Sequence, residues 1–93
     1  MAYTFEQSKA LFQRAAKVIP QGIYGHFNPS TTIPGSYPYF IAKAKGPRFW
    51  DVDGNEYIDY SCAYGPMILG YAHDRVDEAF AVQARKGTAT MPP

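Results

Sequence analysis

Residues 43–60, KAKGPRFWDVDGNEYIDY, hold the feature that most narrows what this chain can fold into. Two runs rich in aromatic and β-branched residues, RFWDV and EYIDY, are separated only by Asp53-Gly54-Asn55. That is hairpin chemistry, because Gly54 can take the positive φ that so tight a reversal demands. A third run, YFIAKAKG, precedes them across a Gly-Pro turn. The spacing therefore predicts a three-stranded antiparallel meander over residues 39–60. Strand alternation puts Trp50 and Val52 on one face, with Ile58 and Tyr60 sharing it.

Helices are expected on both sides of the meander. Thr4-Phe5-Glu6-Gln7 has the form of a capping box, with Thr4 accepting from the Gln7 amide and Gln7 reaching back. Glu6 lies in the first turn, where the helix dipole favours an anion. Phe5, Ser8, Phe12, Ala15 and Ile19 make a one-sided stripe at helical spacing. This predicts a helix over 4–19, stopped by Pro20 and Gly22. A second helix is expected over 74–86, with Asp74 as its N-cap and Val76, Ala79, Phe80 and Ala84 as its apolar face. Gly87 supplies its stop signal. Residues 61–73 join meander and helix as a loop. The chain is thus an α+β segment: helix, long loop, three-stranded antiparallel meander, loop and helix.

The long loop, 20–38, carries four prolines and three glycines. Ile23, Tyr24, Phe27, Ile33 and Tyr37 would be stranded in water if it were a plain linker, so it is expected to lie ordered over a surface. Aromatic residues make up 16% of the 93, more than so short a chain can hide, which points to cover from outside. After the second helix, GTATMPP opens a new connection rather than ending a fold. The expectation is a piece of something larger.

Charge and cysteine usage exclude several classes. Nine basic residues against eight acidic give a net charge of +1, with no basic face for nucleic acid. The single Cys62 precludes an internal disulfide and suits a reducing compartment. No apolar run reaches membrane-spanning length, and the first residues lack the apolar core of a secretion signal. A cytoplasmic protein is expected. Asp51, Asp53 and Asn55 match the opening of a calcium loop, but Glu56 stands where glycine is needed and Cys62 where the final carboxylate should be. A hairpin turn is the better reading. One cysteine and two distant histidines do not make a zinc site. No glycine-rich phosphate cradle is present. Lys9, Lys17, Lys43, Lys45 and Lys86 all lie beside polar neighbours, so none has the apolar setting that activates an amine. The residues themselves supply no nucleophile, base or metal.

Four pieces of the sequence, LFQRAAKVIPQG, KAKGPRFWDVDGNEYIDY, YGPMILGYAH and ARKGTATMPP, carry a resemblance. In their order and spacing they resemble the amino-terminal segment of class III, fold-type I aminotransferases dependent on pyridoxal phosphate. The glutamate-1-semialdehyde 2,1-aminomutase group is the most similar branch. The resemblance implies that residues 1–93 form part of the small domain of such an enzyme. The large domain, with the cofactor's lysine downstream of Pro93 and most of the phosphate site, would lie outside this chain. It also implies pyridoxal 5'-phosphate as cofactor, a homodimer, a small-molecule amino donor and a carbonyl acceptor, with no nucleic acid and no membrane. By itself the segment would be inactive and hold no catalytic residue.

The same resemblance suggests substrate-binding positions. The aminomutase loop corresponding to QGIYGHFNPS carries an arginine that holds the substrate carboxylate. Asn28 stands there in this chain, and no arginine lies between Arg14 and Arg48. Tyr24 shares that loop. Tyr64 replaces the family's tryptophan and would border substrate and cofactor. Without the arginine clamp, transfer of an amino group between an amine or amino acid and a carbonyl compound is favoured over aminomutase activity. Glutamate-1-semialdehyde 2,1-aminomutase remains the alternative. A stand-alone binding module that reuses the meander is the non-enzymatic rival.

Overall fold

The computed structural model of the chain describes residues 2–22 and 40–88. Tyr24, Asn28 and most of the predicted 20–38 loop lie outside the described residues.

The meander forms as predicted. Strands β1 (Ile41–Lys45), β2 (Arg48–Asp51) and β3 (Glu56–Ile58) pair antiparallel in the order β1-β2-β3. Gly54 turns the β2–β3 hairpin at φ 85°. The register pairs Trp50 with Glu56, Phe49 with Tyr57 and Arg48 with Ile58. Lys43 faces Trp50 and Ala44 faces Phe49, with a bulge between Ile41 and Lys43.

Cross-strand pairs share a face, so Trp50 and Ile58 do lie on one side. Val52 and Tyr60, however, fall outside the strands, and Tyr60 is exposed. The covered side is the opposite one, with Ala44, Phe49, Asp51 and Tyr57. Phe49 and Asp51 are buried there. The Phe49 and Tyr57 rings stack at 5.0 Å, and Tyr3 meets Tyr57 edge-on at 5.3 Å. On the other side Lys43 lies over the Trp50 ring and Arg48 pairs with Glu56 at 3.1 Å. Charged side chains thus give the Trp50 face water-compatible cover, while the aromatic stack claims the Phe49 face.

Helix α1 spans Glu6–Ala15, shorter at both ends than the stripe suggested. Its N-cap residue is Phe5, and no side chain of the helix's own N-terminus caps it. The Thr4 capping box does not form, because a stronger acceptor takes the amides. The Asp53 carboxylate accepts from the Gln7 amide at 2.8 Å and the Ser8 amide at 2.9 Å. An ionised carboxylate outcompetes a hydroxyl for such donors. At the other end the backbone leaves the helix before Pro20, which disfavours helical geometry in the residue preceding it. Gln21 and Gly22 both take positive φ. Gly22 sits so close to Phe12 that a Cβ would stand 2.5 Å from the ring.

Helix α2 spans Asp74–Ala84, with His73 rather than Asp74 in the N-cap position. The Asp74 carboxylate instead binds Lys45 at 2.9 Å. Gly87, at φ 109°, follows the helix as its sequence signal indicated. No residue of α2 is buried, and Val76, Phe80 and Val82 are all exposed.

Candidate functional site

Two carboxylates organise the ends of the hairpins. Asp51, on the covered face, accepts from the Asp53 and Asn55 amides, the Asn55 side-chain amide and the Tyr57 hydroxyl, all at 2.8–3.0 Å. Desolvation, together with donation to Asp51, drives the Tyr57 hydroxyl far above the usual tyrosine range. Asp53 then caps α1, and Asn55 donates to the Thr4 carbonyl. The Ser8 hydroxyl is buried beside Asp53 without closing a well-formed hydrogen bond. The residues that imitate a calcium loop are therefore engaged by protein donors. They tie hairpin to helix.

The second carboxylate, Asp59, governs the loop that holds Tyr64. It accepts from the Ser61 amide at 2.8 Å and from the Tyr71 hydroxyl at 2.7 Å. The Tyr71 bond, the Ser61 amide and, more weakly, the Cys62 amide hold the Asp59 carboxyl below the usual carboxylate range. Donation to Asp59 raises the Tyr71 hydroxyl in turn. Tyr71 also exchanges two backbone hydrogen bonds with Gly46, each of 2.9 Å, at the β1–β2 turn. Lys45 reaches over from β1 to the Ala72 carbonyl and the Asp74 carboxylate. Gly70 packs on this junction, and a Cβ there would lie 3.0 Å from Gly46 backbone atoms.

Within the closed loop the backbone is strained. Cys62, Ala63 and Tyr64 have φ of 51°, 50° and 63°, three consecutive non-glycine residues in the left-handed region. Each such residue costs about 1–2 kcal/mol. Backbone bonds from Tyr64 to Ser61 and from Gly65 and Met67 to Cys62 offset part of that cost. The outcome is a tight turn that pushes the Tyr64 ring outward, 86% exposed. Strain of this kind persists where surrounding structure over-determines it, and it clusters at functional sites. Below the turn, Cys62, Met67, Leu69 and Tyr71 line a shallow cleft against Gly46 and Pro47.

Of the three positions singled out from sequence, Tyr64 is thus held on a built loop, while Tyr24 and Asn28 lie outside the described residues. Asp59 and Tyr71 were not singled out. Twelve positions apart, they form no readable motif, and only an aspartate two residues ahead of Ser61 hinted at a local cap.

The class-III aminotransferase family model matches residues 32–93. The chain belongs to this family. A glutamate-1-semialdehyde 2,1-aminomutase of Acetivibrio thermocellus is 55% identical over 76 residues, 82% of this chain and 18% of that protein. A 3-aminobutyryl-CoA aminotransferase of Cloacimonas acidaminovorans is 47% identical over 79 residues, 85% of this chain and 19% of that protein. Among solved structures, a transaminase with PLP bound superposes with TM-score 0.76 at 34% identity, covering 99% of this chain and 21% of the other. A glutamate-1-semialdehyde aminomutase from Pseudomonas aeruginosa PAO1 gives TM-score 0.76 at 29% identity, covering 94% and 19%. The chain spans about a fifth of the length of these class-III relatives.

Among the described residues, the exposed Tyr64 ring is the kind of face that would suit the border of a planar cofactor, and Lys9, Lys43 and Lys45 would not suit its anchor. Tyr64 offers an exposed aromatic ring on a fixed turn. Three of the five lysines are engaged otherwise: Lys9 pairs with Glu6, Lys43 covers Trp50, and Lys45 binds Ala72 and Asp74. An amine that attacks a carbonyl needs desolvation or a cationic neighbour to lose its proton, and these ammonium groups sit instead against anions, carbonyls and a ring face.

Proposed function

We propose that this chain forms one wall of the active site of a pyridoxal-phosphate enzyme that moves an amino group between an amine or amino acid and a carbonyl compound. Membership of the class-III family supports this reading, and the observation that carries it is the strained, doubly clasped turn that holds Tyr64 outward. The cofactor, when bound, supplies the amine carrier and electron sink. The role of this segment is position. Tyr64 borders the planar reacting groups and keeps water from one side, while Tyr24 and Asn28 are the proposed substrate-binding positions of the preceding loop. The remaining structure of such an enzyme, including the cofactor's lysine, acts with this segment in a cytoplasmic homodimer.

Asn28 chooses between the two branches of the family. A neutral amide compensates poorly for desolvating a carboxylate, whereas an arginine does so with two charge-assisted hydrogen bonds. Amine or amino-acid transamination is therefore favoured. The 55% identical aminomutase keeps glutamate-1-semialdehyde 2,1-aminomutase as the second reading.

The test is amino transfer by the complete enzyme carrying this segment, supplied with pyridoxal phosphate and a panel of amines and amino acids. Transfer is expected, and Asn28→Arg should raise kcat/KM for donors with a carboxylate at that end by about tenfold or more. Borohydride reduction should fix the cofactor on a lysine outside residues 1–93. A reduced adduct on one of the five lysines here, or no transfer from any donor, would overturn the reading.

A further inference from the structure

We propose that Asp59 and Tyr71 are positioning residues, whose hydrogen bond closes the 59–71 loop and holds the left-handed turn that presents Tyr64. The proposal deepens the functional reading above, and it rests on Tyr64 being a wall of the active site.

One carboxylate joins both ends of the loop. Its Oδ1 accepts from Ser61, at the loop's entry, and its Oδ2 from the Tyr71 hydroxyl, at the exit. Between those contacts lie the three left-handed residues. Tyr64 is too exposed for packing to fix its ring, so the ring's direction is inherited from the backbone beneath it. Releasing either end of the loop would let that backbone relax toward ordinary φ values and swing the ring away. The backbone bridge between Gly46 and Tyr71 anchors the exit but does not reach the turn. The side-chain bond does, because the same carboxylate also holds the Ser61 amide, one residue before the turn. A phenylalanine at position 71 would fill the same space against the cleft and keep the bridge. The hydroxyl therefore has a task that packing does not explain.

The experiment uses Tyr71→Phe, Asp59→Asn and the double variant in the complete enzyme. Peptide-resolved hydrogen exchange over residues 59–72 is measured beside steady-state kinetics. Loss of a hydrogen bond to a charged group should speed exchange in the loop by about tenfold or more in Tyr71→Phe. Kcat should fall roughly 10-fold or more while KM changes little, because a displaced wall misaligns the reacting groups after binding. Asp59→Asn keeps one acceptor oxygen and should act in the same direction. The double variant should fall short of the product of the single effects, as coupled partners do. Unchanged exchange in Tyr71→Phe would overturn the latch whatever the activity. Faster exchange with kcat and KM both unchanged would overturn the positioning role. If the unaltered enzyme transfers no amino group, the functional reading fails, and the exchange arm still decides whether the latch exists.

Discussion

Asp51 shows how much one side chain can organise here. It is 2% exposed, and four donors converge on its two oxygens. Removing the carboxylate leaves buried donors without an acceptor, which is the costly half of a hydrogen bond. In the complete enzyme, Asp51→Ala should therefore lower unfolding free energy by about 1.5–3 kcal/mol or more, read from the denaturant midpoint. Asp51→Asn should cost less, since one acceptor oxygen remains. At this scale the sequence was legible wherever backbone geometry singles out a residue type. Gly54 had to take positive φ, and Asp53-Gly54-Asn55 announced it. It was not legible where an acceptor comes from far along the chain. Thr4 was the nearest cap for α1, but Asp53, 46 residues beyond Gln7, holds the amides. The strained residues Cys62, Ala63 and Tyr64 likewise carry no glycine to mark them.

Between elements, the carboxylates act as clasps. Asp53 fastens the β2–β3 turn to α1, Asp59 fastens the entry of the Tyr64 loop to its exit, and Lys45 with Asp74 steadies the start of α2. Desolvation pushes the Asp53 carboxyl up, but the Gln7 and Ser8 amides outweigh it and hold it below the ordinary value. A group depressed in the folded state contributes stability above its unfolded value, near pH 4, and loses it as pH falls through the folded value. Acidification below about pH 4 should thus detach the first turn of α1 from the hairpin, seen as upfield shifts of the Gln7 and Ser8 amide protons. In Asp53→Ala those shifts should already be present at neutral pH. Gln7 and Ser8 amide protons that stayed downfield in the variant would show that α1 has another cap. Element types and order were readable from period and turn residues. The covered face of the sheet was not, because Trp50 and Phe49 are both large aromatics on alternate positions. Only the cross-strand stack with Tyr57 decides between them.

At the scale of the molecule, the described residues form almost no apolar core. Phe49 is the one buried hydrophobic residue among those described. A compact monomer of this mass exposes roughly 5,400 Å². This chain exposes 7754 Å². Ile41, Ile68, Leu69, Val76 and Phe80 all face outward. The high aromatic content pointed to this exposure. Residues 1–93 alone should show no cooperative thermal transition by circular dichroism at low concentration, and should self-associate in sedimentation as concentration rises. A sharp melt of a monomer would contradict that.

The central claim, that this segment is a wall of a reacting site rather than scaffold, comes down to Tyr64. Its ring touches too little of this chain to matter for stability, so its removal isolates function. The measurement is kcat/KM of Tyr64→Ala in the complete enzyme, over carboxylated and uncarboxylated amino donors. A loss of about tenfold or more on every donor, with the melting temperature unchanged, is the predicted result. Kinetics matching those of the unaltered enzyme across the whole panel would contradict the account and leave the segment as scaffold.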